Sequence, residues 1–253
     1  MILVRHGRTT ANASGMLAGR LPGVRLDERG LEQARTAADR IAPVPLALAV
    51  TSPMERCQET LSAILDGRAD LPPVVVEDGV SECDYGEWQG EKLASLARRK
   101  LWKTVQTQPS AVTFPGGESM PAMQARGVEA VRRHDAAVTA AHGDSAVWLC
   151  VSHGDLIKAI LADALGMHLD LFQRLHVDPA SISVVRYGEG RPSVLATNTH
   201  AGDLSWLAPQ GSSKRAASKK GRKPSRRRND DAVVGGGSGP EDGLAVNDLG
   251  GAG

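Results

Sequence analysis

Two imidazole and two guanidinium side chains lie close to the ends of predicted strands. Arg5 and His6 directly follow the branched apolar run Ile2–Val4, and His153 directly follows a later apolar run. Arg56 comes a few residues after another such run. In an open α/β sheet, ligands bind at the carboxyl ends of the strands, so these side chains can converge on one point. Because such groups repel one another unless an anion lies between them, the pattern predicts a phosphate pocket.

Arg5-His6-Gly7 taken alone is a weak signal. A strand that ends in solvated polar residues explains an isolated motif of three residues at least as well. The interpretation therefore depends on the other strand ends and on the motifs described below.

The composition is that of an ordinary globular protein. The chain has 253 residues, of which 41% are hydrophobic, and it contains no run of 18 apolar residues. We therefore expect no membrane span, no secretory signal and a cytoplasmic location. The three cysteines are scattered, which argues against a disulfide framework and against a CxxC metal site.

The charge is unevenly distributed along the chain. Residues 1–207 hold 21 basic and 24 acidic side chains, whereas residues 214–228 hold nine basic and no acidic ones. The segment after residue 228 is rich in glycine. This pattern predicts a folded domain over residues 1–207 and a disordered tail over residues 208–253. It also predicts weak binding of nucleic acid or another polyanion by residues 214–228.

Strand and helix signals alternate through the folded part. This alternation, with fully apolar central strands, predicts a three-layer α/β/α sandwich with a mostly parallel central sheet. We expect no core strand or helix in the segment 81–90, because it is polar and contains several glycines. The predicted helices cover residues 27–42, 53–65, 91–106, 120–141 and 156–165, and the predicted strands cover residues 2–4, 46–50, 74–76, 146–151, 182–186 and 193–197.

Five motifs in order resemble those of the histidine phosphatase superfamily, in its phosphoglycerate mutase-like branch. The resemblance extends over roughly residues 1 to 200, and its motifs are Leu3–Thr9, Ser52–Thr60, Glu82–Gly90, Gly116–Ser119 and Val151–Gly154. Two positions depart from the usual pattern, since Arg8 stands where an acidic or hydroxyl residue is commoner and Ala11 where a Trp is usual. These departures concern substrate recognition rather than the phosphate chemistry.

The resemblance implies a role for each matching residue. His6 would be the nucleophile that becomes phosphorylated, and Glu82 would be the proton donor. Asn12 and Gly154 are assigned to substrate binding. The residues that would hold the transferring phosphoryl group are Arg5, Arg56 and His153. The resemblance implies no metal and no cofactor.

The chemistry requires these residue types. A neutral imidazole is a good nucleophile near pH 7, and flanking cations stabilise the oxygens of the transferring phosphoryl group. Because an alkoxide is a poor leaving group, a carboxylic acid has to protonate the departing oxygen. Spacing alone leaves it open whether Glu82 has this role or is a solvated loop acid like Asp84 and Glu87.

Three functions from different classes follow. The favoured one is a metal-independent phosphatase that hydrolyses a small phosphorylated metabolite through phosphohistidine. The first alternative is a phosphomutase, which needs a closed pocket and more basic residues for a second phosphate. The second alternative is a polyanion-binding module that acts through the basic tail, with incidental catalysis.

Overall fold

A computed structural model describes residues 1–188 and 190–200 of the chain. The strands are β1 Ile2–Arg5, β2 Leu48–Thr51, β3 Val74–Val76, β4 Trp148–Ser152, β5 Ile182–Arg186 and β6 Ser193–Thr199. The α-helices are α1 Thr10–Ala13, α2 Glu28–Ile41, α3 Glu55–Leu65, α4 Leu93–Leu96, α5 Lys100–Thr107, α6 Met120–His142 and α7 Gly154–Ala164. Short 3₁₀ helices cover Asp78–Val80, Gly86–Trp88, Pro109–Ala111 and Leu169–Arg174.

The six strands form one sheet in the order β3-β2-β4-β1-β5-β6. Strands β3, β2, β4 and β1 are parallel, and β5 and β6 add an antiparallel pair at the far edge. The fold is the predicted mostly parallel α/β sandwich. Because β1, β2 and β4 are neighbours, the residues that follow them meet at one edge of the sheet.

Alternate residues of the central strands pack into two separate cores. Leu3, Val50 and Cys150 belong to the core that includes residues of α6 and α7. Val4 and Val151 belong to the core that includes residues of α2 and α3. Strands β1 and β4 are buried along their whole length, which explains their continuous apolar sequence.

Local signals set the ends of the two best-predicted helices. Asp27 caps α2, because its side chain accepts a hydrogen bond from the Gly30 N–H at 2.8 Å. Ser119 caps α6 in the same way, with Pro121 in the first turn. These two helices begin within a residue of the predicted positions.

Three of the predicted helices are wrong in extent, one of them being α7, which begins at Gly154 rather than at residue 156. Residues 91–106 do not form one helix but contain α4 and most of α5, and α5 continues to Thr107. Helix α3 begins at Glu55 rather than at Pro53, because Met54, which caps it, has an extended backbone. The amino-acid composition of these segments therefore indicates helix, but it does not show at which residue each helix begins or ends.

The segment 81–90 contains no strand or α-helix, as its polar and glycine-containing sequence predicts, but three of its side chains belong to the core. Cys83, Tyr85 and Trp88 are buried, and Phe114 packs edge-on against both Tyr85 and Trp88. Trp102 stacks on Trp88 at a ring separation of 6.2 Å. Aromatic rings from later in the chain thus supply the apolar surroundings that the segment itself does not reveal.

The predicted tail, residues 208–253, and its basic part, residues 214–228, lie outside the described residues. So does the last part of the predicted domain, residues 201–207. Within the described ranges, no helix combines the length and the hydropathy needed to cross a bilayer.

Candidate active site

His6 is held in one orientation at the end of β1. Its Nδ1 lies 2.7 Å from the carbonyl oxygen of Gly7, which can only accept, so Nδ1 carries the proton. Nε2 therefore keeps its lone pair. Burial, followed by the positive charges of Arg56 and Arg5, holds the pKa of His6 well below its ordinary value. His6 is consequently neutral at pH 7, with Nε2 available as a nucleophile.

Arg56 joins the two imidazoles. Its Nε donates to Nε2 of His6 at 3.2 Å, and its Nη2 donates to Nδ1 of His153 at 3.1 Å. Nη2 also donates to the Gly19 carbonyl oxygen at 2.6 Å. The third nitrogen, Nη1, is buried and has no hydrogen-bond acceptor among residues 1–188 and 190–200. One guanidinium in the first turn of α3 thus contacts both histidines and retains a spare donor.

His153 follows the end of β4 and occupies the N-cap position of α7, without a capping bond from its side chain. Because the Arg56 guanidinium can only donate, Nδ1 of His153 accepts from it, and Nε2 carries the proton and donates to the Ser52 hydroxyl at 2.7 Å. The ring meets His6 edge-on at 5.3 Å between centroids. Burial, and then the charge of Arg56, lowers the pKa of His153 well below its ordinary value. Both imidazoles are therefore neutral in this arrangement.

Arg5 is fully buried beside His6. Its Nη1 donates to the Val177 carbonyl oxygen at 2.8 Å. Ala180 crosses over the end of β1, where its N–H lies 3.1 Å from the Arg5 carbonyl oxygen and 3.2 Å from that of His6. The segment before β5 therefore fixes the backbone that carries both residues.

Glu82 has the environment of a proton donor. The residue is 3% exposed, and its Oε1 accepts from the Cys83 N–H at 3.0 Å. Burial raises the pKa of Glu82 and the nearby Asp155 carboxylate raises it further, to about 7, although Arg56 and Arg5 partly oppose this. A carboxyl with such a pKa can give and take a proton at neutral pH. By contrast, Asp84 is partly exposed and Glu87 is exposed.

Asn12 lies in α1, the helix that follows the turn at His6, and Gly154 directly follows His153. The side-chain oxygen of Asn12 accepts from the Thr9 N–H at 3.1 Å and from the Thr9 hydroxyl at 2.9 Å, which closes a capping box at α1. Gly154 is buried in the first turn of α7. The assignment of both residues to substrate binding stays a prediction.

Sequence reasoning missed several groups that hold the site. The carbonyl oxygens of Gly19 and Val177 carry no sequence signal, because every residue has a carbonyl. The one hint in the sequence is that residue 19 is a glycine, the residue type that its φ of +52° favours. Ser52 stands in a recognised motif, but its contact with His153 spans 101 residues.

Other histidine and cysteine side chains have structural environments. His134 bonds to Glu77 at 2.9 Å and packs against Trp148. The three cysteines are buried free thiols, and burial raises the pKa of the Cys57 thiol to about 12. In the described part of the chain, no group of three or more His, Cys, Asp or Glu side chains is placed to bind a metal ion.

Several curated proteins are similar to the chain in sequence. It is 34% identical over 206 residues to a bifunctional protein of Mycobacterium tuberculosis, covering 78% of this chain and 53% of that protein. The chain thus spans about half the length of that relative. It is also 30% identical to phosphoserine phosphatase 1 of Hydrogenobacter thermophilus, covering 81% of this chain and 95% of that protein.

A phosphoglycerate mutase is similar to the chain at a comparable sequence identity. The 2,3-bisphosphoglycerate-dependent phosphoglycerate mutase 2 of Gloeobacter violaceus is 32% identical, with 73% of this chain and 80% of that protein covered. Among solved structures, the YhfR protein of Bacillus stearothermophilus matches with a TM-score of 0.69 and 25% identity, covering 81% of this chain and 96% of that one. These similarities leave both hydrolysis and transfer open.

The sequence model of the histidine phosphatase superfamily (branch 1) matches residues 1–200. That range contains every residue of the site described above. The chain therefore belongs to the histidine phosphatase superfamily, branch 1.

Proposed function

We propose that this protein is a metal-independent phosphatase that hydrolyses a small phosphate monoester through a phosphohistidine on His6. The observation that carries the proposal is the contact of one guanidinium, Arg56, with both imidazoles, next to a carboxyl whose pKa is raised to about 7. A tetrahedral phosphoryl group needs such converging donors around a nucleophile.

In the first step, His6 Nε2 attacks phosphorus and the bond from phosphorus to the ester oxygen breaks. Arg56 gives up its bond to Nε2 and donates to phosphoryl oxygens instead, and its spare Nη1 adds a further donor. Arg5 and His153 border the same space. The Glu82 proton passes to the departing oxygen, so that an alcohol leaves rather than an alkoxide.

In the second step, a water oxygen attacks the phosphorus of phosphohistidine. The Glu82 carboxylate takes a proton from this water, the bond from phosphorus to nitrogen breaks, and inorganic phosphate leaves. His6 returns to its starting tautomer, and Glu82 is again protonated. The two steps together consume one water and need no other reactant.

Hydrolysis is preferred to mutase action because a mutase must hold a second phosphate while water is excluded. In this chain, two of the basic residues after the Glu82 segment have other partners, since Lys92 donates to the Ser14 carbonyl oxygen and Arg99 pairs with Glu91. The mutase relative nevertheless makes phosphoglycerate transfer the alternative to test.

A screen of phosphate esters tests the proposal. Purified protein would be given phosphoserine, 3-phosphoglycerate and p-nitrophenyl phosphate, with and without 2,3-bisphosphoglycerate. We expect stoichiometric inorganic phosphate from at least one alkyl ester and no requirement for bisphosphoglycerate. Conversion of 3-phosphoglycerate to its isomer without release of phosphate would support the mutase instead.

Polyanion binding by residues 214–228 stays a prediction from the sequence. Nine cationic side chains should give weak binding that falls steeply as salt rises. Comparing the full chain with one shortened after Leu207 tests this prediction separately from turnover.

A further inference from the structure

Glu118, in the turn before α6, connects three segments of the chain. Its Oε1 accepts from Arg20 Nη2 at 2.9 Å, from Arg126 Nη2 at 2.6 Å and from the Asp84 N–H at 2.8 Å. Its Oε2 accepts from Arg126 Nε at 3.0 Å. Burial by itself would raise the pKa of Glu118, but the bonds from Arg126 and Asp84 outweigh it and hold the pKa below its ordinary value. The side chain is therefore an anion at neutral pH.

The two arginines that Glu118 holds also bind the backbone of Glu82. Arg20 Nε donates to the Glu82 carbonyl oxygen at 2.9 Å, and Arg126 Nη2 donates to the same oxygen at 3.0 Å. Arg126 Nη1 further donates to the carbonyl oxygens of Gly79 and Ser81. Since Glu118 itself binds the Asp84 N–H, the chain is fastened on both sides of the Glu82 side chain.

The same network reaches the phosphate-binding residues through the loop before α2. Arg20 follows Gly19, whose carbonyl oxygen accepts from Arg56. The dipeptide Gly19-Arg20 thus contacts both parts of the site. Gly19 accepts from the Arg56 guanidinium, which joins the two imidazoles. Arg20 donates to the backbone of Glu82, whose carboxyl would protonate the leaving group. A shift of Arg20 would change the distance between these two parts of the site.

We infer that Glu118 is a positioning residue that, through Arg20 and Arg126, holds the Glu82 carboxyl at the distance from His6 at which it can protonate the departing oxygen. This inference rests on the proposed function and assigns a role to the motif Gly116–Ser119, which takes no part in the steps above. Glu118 does not touch the reacting atoms. Its effect on catalysis passes through Glu82.

The test compares esters that differ in their need for an acid. Glu118→Gln keeps the size of the side chain but weakens its bonds to both arginines. For the alkyl phosphate that the wild type hydrolyses fastest, we expect kcat to fall about 10- to 100-fold, because misplacing a catalytic group by about 1 Å has effects of this order. For p-nitrophenyl phosphate, whose leaving group departs with little help, we expect a loss of under about threefold in the single-turnover release of p-nitrophenolate, which reports the formation of phosphohistidine and not its hydrolysis.

A double-variant comparison identifies the route of the effect. In a chain that already carries Glu82→Gln, adding Glu118→Gln should cost almost nothing further on the alkyl ester, because two residues that act as a unit are not additive. Asp163→Asn is the matched control. It breaks the ion pair that Asp163 of α7 makes with Arg132 of α6, and it should leave the hydrolysis of both esters unaffected.

The outcomes separate the inference from the proposed function. Equal losses on the two esters, or additive losses in the double variant, would overturn the role of Glu118 while leaving the phosphatase intact. A wild type that hydrolyses neither ester would instead overturn the proposed function. If thermal melting shows that Glu118→Gln is unfolded, Arg20→Met is measured instead. This change removes a half-buried donor to both Glu82 and Glu118, and it is judged by the same comparison of the losses on the two esters.

Discussion

Arg56 Nε lies 3.2 Å from Nε2 of His6, on the nitrogen that would attack phosphorus. The guanidinium thereby orients the His6 imidazole and, by its charge, helps to keep it unprotonated. Once a phosphoryl group enters, the same nitrogen has to exchange the imidazole for a phosphoryl oxygen. In the proposed mechanism, the Arg56 side chain thus binds either Nε2 of His6 or a phosphoryl oxygen, but not both with the same nitrogen.

Arg56→Lys tests this relationship. A lysine keeps the charge but has one donor nitrogen, which cannot contact both imidazoles and a phosphoryl group together. We expect kcat to fall about 10²- to 10³-fold, a loss typical of removing a donor that stabilises the transition state. Steady-state rates with p-nitrophenyl phosphate would measure it. Arg133→Lys, which alters a surface ion pair with Glu77, is the control and should retain full activity.

Glu82→Gln should separate substrates by leaving group. The amide cannot protonate the departing oxygen, so alkyl phosphates should lose about 10²- to 10⁴-fold in rate. p-Nitrophenyl phosphate should lose far less in the step that forms phosphohistidine, which single-turnover release of p-nitrophenolate reports. Equal losses on both kinds of ester would mean that Glu82 is structural or binds substrate.

The dependence of kcat/KM on pH follows from the two shifted groups. Glu82 must be protonated to act as an acid and its pKa is raised to about 7, so activity on alkyl phosphates should fall as the pH rises above about 7. His6 must be neutral and its pKa lies well below its ordinary value, so its protonation should not limit activity until well below pH 6.5. In Glu82→Gln the alkaline fall should disappear. An unchanged alkaline fall in that variant would assign it to another group.

Gly7→Ala should destabilise the protein at the turn that carries His6. A Cβ atom at residue 7 would lie 2.4 Å from the Gly30 carbonyl oxygen, a backbone atom in α2 that cannot easily move. We expect a loss of at least about 1–3 kcal/mol, the usual range for overpacking, measured as a lower Tm. Gly188→Ala is the control, because no atom of the described chain lies within 4 Å of that added Cβ. A Tm equal to the wild type in Gly7→Ala would show that the turn can open without cost.

The parts of the fold with strong local signals could be predicted from the sequence. Continuous apolar runs gave β1 and β4, because strands that are buried on both faces need no polar side chains. The cap Asp27 gave the start of α2. Ordered motifs likewise indicated His6 and Arg56, which the structure brings into hydrogen-bond contact.

The parts that depend on distant contacts could not be predicted. Trp88 is buried because Phe114 and Trp102 pack against it, and no feature of its own segment shows this. Glu118 meets Arg20 across 98 positions of the chain. Such pairs are determined by the tertiary fold, and a single sequence carries no local trace of them.

Identification of the phosphorylated residue tests the central claim most directly. The Glu82→Gln variant would be mixed with p-nitrophenyl phosphate, so that phosphohistidine forms but its hydrolysis is slowed, and then quenched in base, digested and analysed by mass spectrometry. We predict one phosphorylated peptide, with the phosphate on His6, and no such peptide after the further change His6→Ala. The His6→Ala variant alone should show no turnover. EDTA should change none of these results. Phosphate on any other residue, or turnover by His6→Ala, would contradict the account.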